Sequence, residues 1–561
     1  MRPISSRGKP NPSHLLGLLL HRITTLILTS LGPCLSIDPA NCGENPKTRS
    51  VPNIVLILAD DLGFSDLGCY GSEILTPNLD ELARTGLRFT QFYNAARCCP
   101  TRAALLTGLY PHQAGVGHMM DDWQRPGYRG NLNRECATIA EVLQAAGYQT
   151  MMAGKWHVSR HTGSEGPKHT WPLSRGFGKF FGTIHGGGSY FDPVTLTRDE
   201  HFVRASGDFY YTDAISEHAA RFIEEAARSD APFFLYVAYT APHWPLHARP
   251  EDIARYKGQY SIGWDALREK RHKRMIRLGI IRPDWPITPR DSRVLAWYDA
   301  PYKPWHERRM EVYAAQIDRM DQGIGRILEK LRQVDKVENT LIFFLADNGG
   351  CAEEISSQWK GLHIPPKTLA DQAVQVGNNP NAMPGTEDTY QSYGVPWANV
   401  SNTPFRLYKH WVHEGGIATP LVVSWPAVIR AGGGLVHEPG HVIDLMATCC
   451  DVAGIRYPDQ VAGYRIQPTE GQSLKPLLLG GTRNRGPIFW EHEGNRAVRE
   501  GKWKLVSRFP GQWELYDMEA DRTEMNNLAE ENPTLVKFMS RLYEEWTERV
   551  NVEPWDRSLA R

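Results

Sequence analysis

Two stretches of the chain are apolar without interruption and end in acids or amides. Asn53-Ile-Val-Leu-Ile-Leu-Ala runs into Asp60-Asp61, and Thr340-Leu-Ile-Phe-Phe-Leu-Ala runs into Asp347-Asn348-Gly349-Gly350. A strand buried on both faces reads this way, and such strands belong to parallel sheets. The segments 232–240 and 149–153 carry the same signal, and 421–425 reads as a further strand. Between them the spacing predicts helices over 78–85, 138–146, 214–228 and 310–333, with one more over 441–453 closed by Gly454. This alternation predicts an α/β fold, a doubly wound and mostly parallel sheet with helices on both faces. Ligands of such sheets gather at the carboxyl ends of the strands. Gly, Pro, Asn and Gln crowd 349–397, which reads as a long loop region over that edge. Past Gly454 the pattern shortens to strands near 487–490, 496–499, 503–506 and 513–516, then an amphipathic helix over 534–550. We therefore expect an α/β domain over 51–454 and a smaller C-terminal domain of antiparallel sheet and one helix over 455–561.

Composition narrows the partners. With 63 Lys+Arg against 63 Asp+Glu, no net charge drives binding to nucleic acid or to an anionic membrane. A small or glycan-like substrate fits better. At 41% hydrophobic and 22% charged residues, the chain has the make-up of a soluble globular protein, and 561 residues leave room for more than one domain. Arg2, Arg7 and Lys9 precede apolar runs over 15–20 and 23–31, the order of a secretory signal within 1–36. His21-Arg22 interrupts the run, so export to a periplasmic, extracellular or other secretory compartment is expected rather than a stable membrane span. Leu31-Gly32-Pro33-Cys34 is similar to a lipoprotein cleavage site except for Pro33. The nine cysteines form no dense framework and neither require nor exclude a disulfide.

The candidate chemistry centres on Arg97-Cys98-Cys99-Pro100-Thr101-Arg102 through Thr107-Gly108. Pro100 reads as the first residue of a short helix and Gly108 as its end. Cys98 then sits at a helix N-terminus, which attracts anions, and Arg102 adds a guanidinium. Packing alone would also explain a Cys at the start of an Ala-rich helix. Asp60, Asp61, Asp347 and Asn348 offer four oxygens at two strand ends, a donor set for Ca²⁺ or Mg²⁺ rather than Zn²⁺. Acids after a strand also serve as helix caps. Lys155 and His157, two apart on an extended segment, would face one ligand. His243 lies between Pro242 and Pro245.

The order Cys98-x-Pro100-x-Arg102, four residues, then Thr107-Gly108 resembles the signature of the sulfatases, with Thr101 where many members carry Ser. Only Cys98 is in register, since Cys99 would need Pro at position 101. The resemblance extends over 51–530 and includes a C-terminal pattern at 517–528. It implies that a maturation enzyme oxidises Cys98 to formylglycine, and that Asp60, Asp61, Asp347 and Asn348 bind one divalent ion, which also touches residue 98. It further implies that Lys155 and Lys409 bind sulfate, that His157 faces the formylglycine and that His243 protonates the leaving oxygen. The register of Lys409 stays open beside Arg406 and His410. One hydroxyl of hydrated formylglycine, held by the metal and Arg102, would attack sulfur. His157 would deprotonate the other to expel sulfate. Phosphatases of the same superfold carry His where Asn348 stands. A phosphodiesterase or phosphonate hydrolase of that superfold, or a silent sulfated-glycan binder, remains an alternative. The loops at 185–189 and 350–400 would set the substrate.

Overall fold

The computed structural model describes residues 51–555. The expected export signal, Cys34 and Cys42 lie outside them. The centre is an eleven-stranded sheet. Its parallel heart runs, edge to edge, Thr340–Ala346, Asn53–Ala59, Phe233–Ala238, Gln149–Lys155 and Lys179–Thr183. Every residue of Asn53–Ala59 and of Thr340–Ala346 is buried, as two-sided packing of an unbroken apolar run requires.

Helices cover both faces. Tyr211–Ala226 and the 31-residue Lys303–Gln333 pack on one side, in a cluster that includes Ile215, Ile223, Met310 and Ile324. Cys98–Thr107 and Ile139–Ala145 pack on the other, against Leu56, Leu58, Phe343 and Leu345. The Ile139 helix starts as its sequence dictates, with Thr138 and Glu141 forming a capping box. Ala418–Ser424 joins the sheet antiparallel to Thr340–Ala346 and also to Leu87–Tyr93. The long 349–397 segment is mostly loop but ends in a helix, Gly394–Ser401.

The strands Ile488–His492, Asn495–Glu500, Trp503–Ser507 and Glu514–Asp517 form an antiparallel sheet in that order, crossed by the Pro533–Val550 helix. Val498, Leu505 and Leu515 share an apolar cluster with Leu421 and Val423 of the large sheet. A fully buried ion cluster bolts this sheet down: Lys504 meets Glu414 at 2.9 Å and Glu524 at 2.8 Å, and Arg522 meets Glu414 at 2.8 Å. Among the described residues all seven cysteines are free and buried, and no helix is long and apolar enough to cross a membrane.

Burial holds His247 down to about 4 and His441 down to about 3. An unfolded histidine takes its proton near 6.5. The unfolded chain therefore binds protons that these rings refuse, and stability falls as pH drops from about 6.5 toward 4, by up to ~1.4 kcal/mol per unit for each ring. Asp321, pushed up to about 6 by burial, acts in the opposite sense and offsets part of this. The urea midpoint is expected to be lower at pH 5 than at pH 7; an equal or higher midpoint at pH 5 would contradict the assignment.

Candidate active site

The carboxyl ends of the central parallel strands supply the site. The helix after Leu87–Tyr93 begins at Cys98, not at Pro100, which stands third. The shift costs no hydrogen bond, because the first four amides of a helix lack intrahelical partners and Pro100 removes one of those. Gly108 ends the helix in the left-handed conformation at φ 69°.

Arg102, one turn in, is fully buried and does not reach outward to a bound anion, contrary to the expectation above. Its Nε and Nη2 donate to Asp347 at 3.1 and 2.9 Å, its Nη1 donates to the Lys155 carbonyl at 2.9 Å, and Asp60 lies 3.5 Å away. Each of its three nitrogens has a partner, so it positions the acids. Asp61, at φ 60°, turns its N–H onto Asp347 at 3.2 Å, and Asn348 Nδ2 donates to Asp61 at 2.7 Å. Asp60, Asp61, Asp347 and Asn348 thus converge. Gly349 is required for this approach: a Cβ there would lie 1.9 Å from the Gly415 carbonyl oxygen.

The cations close around the acids. The Lys155 ammonium pairs with Asp60, and Lys409 donates to Asp61 at 2.9 Å. Lys155 ends its strand, so strand alternation does not carry His157 to the same side; His157 reaches Cys98 from a left-handed residue at φ 58°. The ligand atoms of Cys98, Cys99 and His157 lie within 4.8 Å of one another. His243 Nδ1 donates to the Trp244 carbonyl at 2.5 Å, which leaves Nε2 facing Asp61 and Lys409, 3.4 Å from each. Tyr190 Oη, donating to the carbonyls of Thr240 and His243 at 2.9 and 2.8 Å, fixes this turn.

Electrostatics divides the groups. Burial works against ionisation of Asp60, but Lys155, His243 and Arg102 outweigh it and hold its carboxyl down at about 2. Burial, with the charge of Asp60, pushes Asp347 well up. A hydrogen bond from Cys99, with Lys155 and His157, holds the Cys98 thiol well below its usual range despite burial. Burial and then Lys155 keep His157 neutral down to about 3. Buried Asp60 Oδ1 and Asn348 Oδ1 accept no hydrogen bond. Two orphaned hard oxygens beside two further carboxylates are what a divalent cation of the Ca²⁺ or Mg²⁺ kind satisfies.

Above the acids opens a cavity of about 440 Å³. Cys98, His157, His243 and Lys409 reach its wall; Asp60, Asp61, Asp347, Asn348, Arg102 and Lys155 do not. The layering separates side chains open to the cavity from a buried base of acids and their partners.

The sulfatase family profile matches residues 52–455, most of the described chain, and the profile of the N-sulphoglucosamine sulphohydrolase C-terminal region matches 405–551. The chain belongs to the sulfatase family. It is 32% identical to an uncharacterised sulfatase of Schizosaccharomyces pombe, over 88% of this chain and 92% of that one. It is 34% identical to an arylsulfatase of Klebsiella aerogenes, over 79% and 95%. The crystal structure of Ps i-CgsB in complex with k-i-k-neocarrahexaose superposes with a TM-score of 0.64, at 26% identity over 91% of this chain and 96% of that one. The chain is accordingly a hydrolase of sulfate esters, and its α/β fold is that of the family.

The sulfatase cavity also takes side chains from the loops at 185–189 and 350–400, the two that the sequence marked as setting the substrate. Glu353 accepts from Trp244 Nε1 at 2.8 Å and from Arg97 at 3.1 Å, and sits 3.6 Å from Lys409. His185 and His363 stack with centroids 5.3 Å apart, and Trp359 lies edge-on to Trp244 at 5.8 Å. The sequence marked these loops but not which of their side chains face the cavity, since loops carry no periodic pattern. Gly186 is a sharper case, because a Cβ there would meet the His157 ring at 2.0 Å. Gly186→Ala is expected to displace that ring and lower kcat by roughly ten- to a hundredfold. Wild-type kcat in that variant would show that His157 has no positional demand.

Proposed function

We propose that this sulfatase hydrolyses the sulfate monoester of an aryl or sugar alcohol, with formylglycine made from Cys98 by a maturation enzyme and one divalent ion held by Asp60, Asp61, Asp347 and Asn348. The observation that carries the reading is the meeting of Cys98, His157, His243 and Lys409 on one cavity wall, over a base in which Asp60 Oδ1 and Asn348 Oδ1 are unsatisfied. Bound there beside residue 98, the ion would supply positive charge against the sulfate oxygens. Hydrated formylglycine would supply two hydroxyls, one to bond sulfur and one whose deprotonation releases sulfate.

The residues of the chain do the rest. Lys409 and the amides that open the Cys98–Thr107 helix hold anionic oxygens, and Lys155 sets Asp60 in place. The Trp244 carbonyl keeps a proton on His243 Nδ1, so the proton His243 delivers to the leaving oxygen comes from Nε2. His157, neutral through the physiological range, is the base that takes the proton from residue 98. Arg102 acts only through Asp347 and Asp60. Trp244, Trp359, His185 and His363 give flat faces to a ring-shaped alcohol. The basic and then apolar order of 1–36 supports export.

Two measurements test this reading. Turnover of an aryl sulfate should exceed that of a bis-aryl phosphate; the reverse order would favour the phosphodiesterase alternative. Chelation should abolish turnover and Ca²⁺ or Mg²⁺ restore it, whereas full activity in the stripped enzyme would sink the metal assignment.

A further inference from the structure

Behind the Arg97 wall of the cavity lies a second knot of titratable side chains that sulfate chemistry leaves unused. His118 and His492 stack with ring centroids 5.3 Å apart and planes 13° apart. Both turn toward Glu493: His118 Nε2 lies 3.2 Å from its Oε1 and His492 Nε2 lies 3.6 Å from the same oxygen. The three ligand atoms fall within 4.8 Å of one another. His410 Nδ1 meets the other carboxylate oxygen at 3.0 Å.

His492 is the telling residue. It is completely buried, yet neither ring nitrogen makes a hydrogen bond, and His118 Nδ1 makes none either. A separation of 3.6 Å is too long for a hydrogen bond. Buried imidazole nitrogens left in that condition cost stability. The two contacts on Glu493 Oε1 instead bracket about 3.4 Å, the edge of a tetrahedron whose N and O ligands stand about 2.1 Å from zinc. Trp123 and Trp555, with centroids 4.8 and 5.5 Å from His118, close an apolar shell around the group. Glu493 itself sits at φ 53° beside Gly494 at φ 77°, in a two-residue hairpin turn whose first position favours Asn, Asp or Gly.

We propose that His118, His492 and Glu493 bind a second metal ion, a transition ion of the zinc class, separate from the hard cation under Cys98. Two imidazoles and one carboxylate make a three-ligand set that leaves a fourth position for water. His410 buttresses it through Glu493 Oε2 and passes on to Glu353 and Arg97, both on the cavity wall. The ion would thus pin that wall from behind.

The test counts cobalt. Full-length enzyme is stripped with chelator, returned to excess Ca²⁺, loaded with Co²⁺ and desalted. Cys98, Cys99 and His157 form another group able to take a soft ion, so bound cobalt is compared between variants. His492→Ala and Glu493→Gln are each expected to hold one cobalt fewer per chain than the wild type, while His201→Ala, on the exposed His201–Phe202 edge strand, holds the wild-type number. Made in a Cys98→Ser, Cys99→Ser background that removes the other thiolates able to bind the ion, His118→Cys is expected to add a thiolate-to-cobalt charge-transfer band absent from that background, a signature that a packing role cannot produce. An unchanged cobalt count in folded Glu493→Gln, or no new band in His118→Cys, would overturn the proposal.

Discussion

Cys98→Ser is expected to lower turnover of an aryl sulfate by about a thousandfold or more, roughly 4 kcal/mol in the barrier. The serine hydroxyl occupies the same first position of the Cys98–Thr107 helix and faces the same Lys409, so attack on sulfur remains open to it. It has no second hydroxyl whose deprotonation expels sulfate, so the reaction stalls after one bond is made. A sulfate ester should accumulate at position 98, visible in the intact mass after incubation with substrate. Cys99→Ser should retain most of the activity, because Cys99 is fully buried and absent from the cavity wall. Unimpaired turnover in Cys98→Ser would show that one hydroxyl suffices.

Asp347→Ala is expected to be nearly as costly, and in two measurements at once. Its carboxylate accepts both Nε and Nη2 of Arg102 and the Asp61 N–H, all in a fully buried setting. Removing it strands a buried guanidinium, which typically costs about 3–5 kcal/mol of stability. It also deletes an oxygen of the proposed cation site, so turnover should fall below detection while added Ca²⁺ fails to restore it. Asp347→Asn separates the two effects: shape and one acceptor survive, so the urea midpoint should recover more than the activity does. Equal recovery of both would show that the carboxylate charge matters only to folding.

These residues also mark how far a reading of the chain alone reaches. Asn53–Ala59 and Thr340–Ala346 were legible because burial on both faces leaves no room for polar positions. Their flanking acids followed from the rule that such sheets bind ligands at carboxyl ends. Leu87–Tyr93 was not legible: Arg88, Thr90 and Gln91 interrupt its apolar positions, and its pairing partners lie more than 300 residues away. Gly263–Arg277 escaped for another reason. It buries Arg268 and Arg271, the latter paired with Asp66 at 2.6 Å, so charge sits where an amphipathic pattern demands apolar side chains.

The site divides the same way. Motif spacing marked Cys98, Arg102, Asp60, Asp61, Asp347 and Asn348, but not that each Arg102 nitrogen is spent on an acid or the backbone. That fact depends on three strand ends meeting in space. Strand alternation placed Lys155 and His157 on one side; the left-handed turn at His157 replaced alternation with a kink. Glu353, His185 and His363 come from loops, where no periodicity exists to read.

The most direct test is the mass of one peptide. Trypsin cleavage after Arg97 and Arg102 releases Cys98-Cys99-Pro100-Thr101-Arg102 from active enzyme. The account predicts that this peptide has lost one sulfur and gained a carbonyl at position 98, with Cys99 still a thiol, and that the modified fraction tracks specific activity across preparations. Active enzyme whose Cys98 is an unmodified thiol, or whose carbonyl sits at position 99, would contradict it.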